Sequence, residues 1–193
     1  MKVCIAGKNN IAVEILLYLV ELGITKENIY VIPNKTDDGK DNWQRSLLKK
    51  ANELNIKVNT LEDSYCIDNL LFISLEFDRI VNPNKFKTDK LFNIHFSLLP
   101  KYKGMFTSIL PILNNEKTTG VTFHKIDKGI DTGNIISQKE FEIDFMDNSR
   151  DIYHKYIKNG ISLVKECLNK ILQNQFFEEK EQDLYNSTYF SKQ

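Results

Sequence analysis

The stretch MKVCIAGKNNIAVEILLYLVELG, residues 1–23, decides the fold class. Residues 1–6 form a short apolar run, and GKNN at 7–10 supplies a glycine turn before an apolar segment that ends at Gly23. A strand, a glycine turn and a helix make up the first half of a βαβ unit. Gly23 stands where the glycine that ends a helix belongs. The sequence therefore predicts an α/β fold.

The same alternation continues along the chain. Further strands are predicted at 28–33, 57–61, 70–75, 91–96, 120–126 and 134–143. Further helices are predicted at about 42–54 and 151–174. Strands that alternate with helices indicate an open, mostly parallel twisted sheet flanked by helices, a Rossmann-like arrangement. We expect one domain over 1–193, with 178–193 as a polar tail in loop conformation.

The composition excludes several classes of protein. Lys plus Arg and Asp plus Glu both number 26, so no global basic field attracts nucleic acid. The longest apolar run, 11–22, contains two glutamates and cannot span a bilayer. The three cysteines are widely spaced, which argues against disulfides or structural zinc, and residues 1–23 do not read as a signal peptide. We expect a cytoplasmic protein that binds neither nucleic acid nor membrane.

Polar and apolar residues alternate in LFNIHFS, residues 91–97. Side chains alternate across a strand, so Asn93, His95 and Ser97 share one face. Burying three unpaired polar groups would cost about 1–3 kcal/mol each. Ligands of open α/β sheets bind beyond the carboxyl ends of the strands. This face therefore indicates a site, with a histidine held by core hydrogen bonds as the structural alternative.

The second informative stretch is GVTFHKIDKGIDTG, residues 120–133. Gly129 and Gly133 bracket a turn that carries Asp131, and Asp127 comes just before it. A carboxylate that reaches an imidazole orients it and stabilises its protonated form. For both aspartates, an ordinary turn residue is the alternative.

Together these stretches resemble the folate-dependent formyltransferase family. Its signature is Asn-x-His on a strand, a Leu-Pro segment and an Asp-x-Gly turn, which here are NIH at 93–95, SLLPKYKG at 97–104 and DTG at 131–133. Asp131 follows His95 by 36 residues, as we expect of the family. The resemblance implies 10-formyltetrahydrofolate as formyl donor, no metal, and a triad of Asn93, His95 and Asp131.

These residue types suit formyl transfer. An amine attacks the formyl carbon, and Asn93 can donate to the oxyanion that develops. His95 can donate to the same oxygen or take the proton from the amine, and the sequence leaves both roles open. Asp131 would hold and charge the imidazole, or move protons through an ordered water. The resemblance further implies that the pterin contacts Phe77, Arg79, Ile80, Val81 and Gly129, although Arg79 could equally be a plain surface residue.

The acceptor is indicated by residues outside the triad. KGMFTS at 103–108 and TFHKID at 122–127 look like nucleotide-sugar N-formyltransferases, most of all those that use dTDP-4-amino-4,6-dideoxyglucose in O-antigen (lipopolysaccharide) synthesis. The implied acceptor contacts are Lys8, Asn9, Trp43, Gln44, Tyr102, Met105, Phe106, Thr107, Ser108 and His124. Lys8 and Asn9 suit phosphate because a helix N-terminus presents free N–H groups. Trp43 would lie against thymine or sugar, or anchor its helix.

Several alternatives stay open. Glycinamide ribonucleotide and methionyl-tRNA formyltransferases share the signature, and a formyltetrahydrofolate hydrolase would use water with the same triad. The complete triad argues against a non-catalytic nucleotide-binding module, and the lack of GxGxxG after the first strand argues against a dinucleotide-dependent oxidoreductase. Nucleotide-sugar members usually continue beyond YFSK at 189–192, so we expect a compact or a shortened member. The oligomeric state is open, with a homodimer among the alternatives.

Overall fold

Strands and helices alternate over residues 1–191, the part of the chain that the computed structural model describes. The strands are β1 (Lys2–Gly7), β2 (Ile29–Pro33), β3 (Lys57–Val58), β4 (Leu70–Leu75), β5 (Leu91–His95), β6 (Lys103–Gly104), β7 (Thr118–Lys125), β8 (Ile135–Glu142) and β9 (Tyr189–Phe190). The helices are α1 (Asn9–Glu21), α2 (Leu47–Leu54), α3 (Leu61–Tyr65), α4 (Leu110–Leu113) and α5 (Ser149–Leu172). The residues group into two compact units, Met1–Asn93 and Ile94–Gln193.

The strands hydrogen-bond in the order β3-β2-β1-β4-β5-β7-β8, and β6 pairs with β9 in a separate two-stranded sheet. In the first unit β1 pairs in parallel with β2 and with β4, and β2 with β3. All six residues of β4 are buried, as the apolar run LLFISL requires of a central strand. α1 packs on β1 and α2 on β2. The predicted mostly parallel sheet with flanking helices is confirmed.

The second unit is built on the antiparallel pair β7 and β8, from Thr118 opposite Glu142 to Phe123 opposite Ser137. The long helix α5 packs on both strands. Its Tyr156 is fully buried and stacks on Phe96 at 5.2 Å between ring centroids. The Tyr156 hydroxyl lies 2.7 Å from Thr119 Oγ1, so the one polar atom of this ring has a partner.

The predicted start of α2 near Asn42 was wrong, because the helix begins at Leu47. Asp41 Oδ1 accepts a hydrogen bond from Ser46 N at 2.9 Å, and Asn42 Oδ1 accepts one from Gln44 N at 3.1 Å. Such local side-chain contacts compete with the hydrogen bonds of a helix. Ser46 is the N-cap, since its hydroxyl accepts from Lys49 N at 2.9 Å.

The predicted strand 57–61 was also too long. β3 ends at Val58, and Leu61 is the first residue of α3. Thr60 and Asp63 form a capping box, in which Thr60 Oγ1 accepts from Asp63 N at 3.1 Å and Asp63 Oδ2 accepts from Thr60 N at 3.0 Å. The Thr-x-x-Asp spacing is the sequence signal for this helix start.

The tail predicted as loop contains regular structure. β9 pairs in parallel with β6, with Tyr189 opposite Lys103. Ile135 and Lys180 exchange two backbone hydrogen bonds, at 2.8 and 2.9 Å. The loop prediction was therefore wrong for 189–190, while 192–193 lie outside the described residues. Backbone pairing of this kind depends on a distant strand, which the polar composition of the tail does not indicate.

No helix within 1–191 has both the length and the apolar character needed to cross a bilayer.

Cys4, Cys66 and Cys167 are all free thiols, and only Cys66 is exposed. Burial raises the pKa of Cys167 to about 12 and raises that of Cys4 further.

The end of α1 carries the predicted glycine. Gly23 has φ +78°, its N–H donates to Val20 O at 3.0 Å, and Ile24 N donates to Leu19 O at 3.2 Å. This pair of hydrogen bonds is a Schellman motif, which needs a left-handed residue at the Gly23 position. A Cβ at Gly23 would meet no atom within 4 Å, so only the backbone conformation selects glycine there.

We expect Gly23→Ala to lower the free energy of unfolding by about 1–2 kcal/mol, because an L-residue is strained in the left-handed region. Urea unfolding followed by circular dichroism measures the change, with Glu21→Ala in the same helix as the control. Equal midpoints for the two variants would contradict the backbone-strain explanation.

Candidate active site

Within the second unit the carboxylate of Asp131 lies between two imidazoles. Asp131 Oδ2 is 3.4 Å from His95 Nδ1, and Asp131 Oδ1 is 3.6 Å from His124 Nε2. The side chain of Asp131 is only 12% exposed, and both rings are buried. The structure therefore brings together two residues of the predicted triad, and adds His124, which the sequence analysis had assigned to the acceptor.

The turn after β7 aims Asp131 at these rings. Asp127 Oδ1 accepts from Gly129 N at 3.0 Å and from Thr132 Oγ1 at 2.6 Å, so Asp127 is an ordinary turn residue. A Cβ at Gly129 would lie 2.0 Å from Thr132 Oγ1, which leaves no space for a side chain. Asp131 itself has φ +55°, a conformation that aspartate tolerates better than most residues.

The outer nitrogens of both rings face backbone carbonyls. His95 Nε2 lies 2.7 Å from Tyr102 O, and His124 Nδ1 lies 2.7 Å from Lys125 O. Because a carbonyl oxygen can only accept, each of these nitrogens is assigned a hydrogen. For His95, the nitrogen that gains or loses a proton is therefore Nδ1, which faces Asp131.

Burial disfavours the charged forms of both His95 and Asp131, but only for Asp131 do neighbouring groups outweigh its effect on the pKa. Burial lowers the pKa of His95, against the opposing effects of the Asp131 charge and the Tyr102 carbonyl. For Asp131 burial acts to raise the pKa, yet His95, His124 and the Gly104 N–H outweigh it and lower the pKa to about 2. At neutral pH the arrangement holds a charged carboxylate beside a neutral imidazole of His95.

The Asp131 carboxylate also has a backbone donor. Its Oδ2 accepts from Gly104 N at 2.9 Å. Gly104 has φ +84°, and a Cβ there would lie 2.2 Å from Phe190 O, so glycine is required on both grounds. This contact was not predicted, although the KYKG sequence that ends at Gly104 had been noticed as part of the family signature.

The other two polar residues of the LFNIHFS stretch have different surroundings. Asn93 is half-buried and lies two residues before His95 on β5. Ser97 is fully buried, and its hydroxyl donates to Lys101 O at 2.7 Å while its carbonyl accepts from Thr122 Oγ1. Ser97 therefore holds the Leu-Pro segment in place.

The acceptor residues predicted in the second unit divide by exposure. Tyr102 is buried, and its hydroxyl donates to Glu116 Oε1 at 2.8 Å and accepts from Asn114 Nδ2 at 2.9 Å. Met105 and Phe106 are 43% and 45% exposed, so their side chains are accessible to a ligand. Thr107 and Ser108 are half-buried between β6 and α4.

In the first unit, the start of α1 differs from the expectation of free amides. Lys8 N donates to Leu75 O at 3.1 Å, and Asn10 N donates to Gln44 Oε1 at 3.0 Å. Asn9 has φ +63°, and its Nδ2 donates to Glu76 Oε2 at 3.3 Å. The chain itself therefore occupies the amides of Lys8 and Asn10, so phosphate binding at Lys8 would depend on its side chain rather than on its backbone N–H.

Two more of the predicted acceptor residues lie in this unit. Gln44 is 4% exposed, and its buried Nε2 has no hydrogen-bond partner within residues 1–191. Trp43 is 58% exposed and lies before the start of α2. A residue that anchors a helix by packing would be more deeply buried than this. The side-chain oxygen of Gln44 thus accepts from the first turn of α1, while its Nε2 donates to no other residue among 1–191.

The loop after β4, predicted to contact the pterin, is fixed by Arg79. The guanidinium lies 4.5 Å from the centroid of the Phe77 ring, and its Nη2 donates to Pro33 O at 3.0 Å. Ile80 is 79% exposed, whereas Val81 is buried. Arg79 is therefore not a plain surface residue but fastens a loop from which Ile80 projects.

One residue that contacts the site was missed. Gln182 Nε2 donates to Asp131 O at 2.9 Å and to Gly133 O at 2.7 Å. Gln182 follows Asp131 by 51 residues in a polar segment, and no sequence signal connects the two.

Among the described residues no group of three or more histidine, cysteine or acidic side chains could hold a metal ion.

Two solved structures are 54% identical to the chain, and each covers 98% of it. One is the N-formyltransferase from Helicobacter canadensis in complex with folinic acid and dTDP-3-aminofucose, at a TM-score of 0.96. The other is WlaRD, a sugar 3N-formyl transferase in the presence of dTDP and 5-N-formyl-THF, at a TM-score of 0.95. The chain spans 70% and 69% of these two proteins.

A curated relative is the bifunctional polymyxin resistance protein ArnA of Wigglesworthia glossinidia brevipalpis, 37% identical over 124 residues. That match covers 63% of the chain but only 19% of the length of ArnA. Residues 1–168 of the chain match the family described as Formyl transferase. Since this match covers well over half of the sequence, the chain belongs to the formyl transferase family.

Proposed function

We propose that the chain transfers the formyl group of 10-formyltetrahydrofolate to the amino group of a dTDP-linked amino-dideoxy sugar. The observation that carries the proposal is the buried Asp131 carboxylate, whose Oδ2 lies 3.4 Å from Nδ1 of the buried His95. Support for the substrates comes from the two structures at 54% identity, one solved with folinic acid and dTDP-3-aminofucose, the other with dTDP and 5-N-formyl-THF.

The position of the amine is a finer question. The motifs at 103–108 and 122–127 favour a 4-amino sugar, whereas the two similar structures concern a 3-amino sugar and a 3N-formyl transferase. At 54% identity this likeness favours a 3-amino-3,6-dideoxy sugar as the acceptor. Synthesis of O-antigen or another surface polysaccharide is the pathway class that would consume such a product.

In the proposed reaction His95 is the general base. Burial lowers its pKa, so the imidazole is neutral and accepts the proton of the attacking amine. Asp131 stays charged because its pKa is about 2, and it stabilises the imidazolium that forms. When the tetrahedral intermediate collapses, the bond between the formyl carbon and N10 breaks, and the imidazolium gives its proton to N10 of the departing tetrahydrofolate. Asn93 donates its amide N–H to the oxyanion of the tetrahedral intermediate. His124 is 2% exposed and is assigned to holding Asp131 rather than to the sugar.

The remaining residues are assigned to binding. In the second unit, the exposed Met105 and Phe106 and the half-buried Thr107 and Ser108 would contact the sugar. In the first unit, the exposed Trp43 would lie against thymine or sugar. Lys8 would contact the pyrophosphate through its ammonium. Gln44 would act indirectly, because it is buried and its Oε1 holds the start of α1 through Asn10 N. Tyr102 and Asn9 would contribute mainly through their backbone, because their polar side-chain atoms have partners in the chain.

The folate would contact the loop that Arg79 fastens. Ile80 projects from that loop, with Phe77 and Val81 as its apolar support, and Gly129 lies in the turn that carries Asp131. We place the reaction in the cytoplasm, since all three cysteines are free, as in a reducing compartment.

The activity is tested by incubating the chain with 10-formyltetrahydrofolate and a panel of amines, followed by mass spectrometry. The panel holds dTDP-3-amino-3,6-dideoxy sugars, dTDP-4-amino-4,6-dideoxyglucose, a UDP-amino sugar and glycinamide ribonucleotide. We expect one formyl group to be added to a dTDP-amino sugar, and the position that reacts decides between the 3-amino and 4-amino assignments. Loss of formylfolate without any acceptor would indicate a hydrolase, and no turnover with any amine would contradict the proposal.

His95→Ala should lower kcat by about 10²- to 10⁴-fold, the usual contribution of a general base. His154→Ala is the matched control, because His154 is exposed on α5. Steady-state kinetics on folded protein, checked by circular dichroism, measures both variants. A His95→Ala enzyme as active as the control would remove His95 from the mechanism.

The lowered pKa of Asp131 in the folded chain predicts that the free energy of unfolding depends on pH. Its pKa falls from 3.8 to about 2 on folding, so its contribution is present above pH 3.8 and is lost as the pH falls through about 2. A shift of this size corresponds to about 2 kcal/mol. We expect the unfolding free energy of Asp131→Asn to decline less than that of the native chain between pH 4 and pH 2, as measured by urea unfolding.

The control for this experiment is Asp68→Asn, whose carboxylate is 81% exposed. It should follow the native chain at every pH. Parallel curves for the native chain and Asp131→Asn would show that the Asp131 carboxylate makes no net interaction with its neighbours.

A further inference from the structure

The segment 182–190, here called the strap, holds the turn that carries Asp131. The side-chain amide of Gln182 donates to Asp131 O at 2.9 Å and to Gly133 O at 2.7 Å, on either side of Thr132. Asp131 is in the left-handed region at φ +55°, where a non-glycine residue persists only if its surroundings hold it. One amide therefore fixes the peptide units that set the direction of the Asp131 carboxylate.

The strap also holds the carbonyl that contacts His95. Tyr102 N donates to Thr188 Oγ1 at 2.7 Å, and Thr188 N donates to Pro100 O at 3.3 Å. Tyr102 has φ +57°, and its ring stacks on Phe190 at 5.9 Å between centroids. Because Tyr102 O is the acceptor for His95 Nε2, the Thr188 hydroxyl fixes the group that selects the tautomer of His95.

A third set of contacts orients the N–H of Gly104, which donates to the Asp131 carboxylate. Lys103 N donates to Thr188 O and Met105 N to Phe190 O, both at 2.9 Å. Successive N–H groups of an extended strand point to opposite sides. Pairing of residues 103 and 105 with the strap therefore leaves the N–H of Gly104 on the other side, where it donates to Asp131 Oδ2 at 2.9 Å.

From these three contacts we propose that the strap positions the His95–Asp131 pair, with Gln182 and Thr188 as its positioning residues. Gln182 acts through the backbone of Asp131, and Thr188 acts through the backbone of Tyr102. Misplacing a catalytic group by about 1 Å can cost 10²-fold in rate. The strap thus influences kcat by fixing the positions of His95 and Asp131. Measuring this effect on kcat rests on the proposed function, whereas the positions themselves do not.

The test uses substitutions that change one contact each. Thr188→Val keeps the shape of the side chain and removes the acceptor for Tyr102 N, whereas Thr188→Ser keeps the hydroxyl. Gln182→Leu removes the amide, and Gln175→Leu is its matched control, since Gln175 is exposed and its amide contacts Gln173. We expect Thr188→Val and Gln182→Leu to lower kcat by about 10- to 100-fold with KM for both substrates within about twofold. Thr188→Ser and Gln175→Leu should match the native chain.

A second readout does not depend on turnover. In ¹⁵N-histidine-labelled protein, the native chain should show His95 with hydrogen on Nε2, and Thr188→Val should move the His95 ring resonances while Thr188→Ser leaves them in place. Gln182→Leu should move the resonances of both His95 and His124, because both face Asp131.

The outcomes separate the two proposals. Native kcat and native imidazole resonances in folded Thr188→Val would overturn the positioning role, even if the melting temperature falls. If Gln182→Leu does not fold, the isosteric Thr188→Val decides alone. Absence of formyl transfer in the native chain would count against the proposed function only, and the resonances would still test the strap.

Discussion

The charge of Asp131 is the constraint on which the second unit depends. Burying a carboxylate costs several kcal/mol unless its surroundings offset the cost, and here the N–H of Gly104 donates to it while the rings of His95 and His124 lie 3.4 and 3.6 Å away. Each of these groups is in turn held from outside by a backbone carbonyl or by strand pairing. The arrangement is costly to form and has few alternative geometries, which suits a group that must meet a reacting atom in one orientation.

Much of the fold follows from local patterns in the sequence. The run LLFISL predicts a central strand because it has apolar residues on both faces, and Gly23 ends α1 because a Schellman turn needs a left-handed residue. The errors arise where polar side chains decide the backbone. Asp41 and Asn42 delay the start of α2, and the capping box at Thr60 turns a predicted strand end into a helix.

The site could be predicted only in part, for a similar reason. His95 and Asp131 follow from motifs and their spacing, which the family resemblance makes specific. Gln182 and Thr188 contact the same site from a segment whose polar composition resembles any loop. No local pattern relates Gln182 to a turn 51 residues earlier, or Thr188 to Tyr102, 86 residues earlier. The contact between Gln44 Oε1 and Asn10 N of α1 is likewise not revealed by the neighbours of Gln44 in the sequence.

The separation between Asp131 and Gln182 also has a consequence during synthesis. A ribosome adds about 5–20 residues per second, so 51 residues take about 3–10 s to make. During that interval His95, His124 and Asp131 have already been made, while the amide that fixes the Asp131 turn does not yet exist. The nascent chain therefore carries the histidines and the carboxylate for several seconds before their final geometry can form, and the order of translation delays the assembly of the site until one of its last contacts is made.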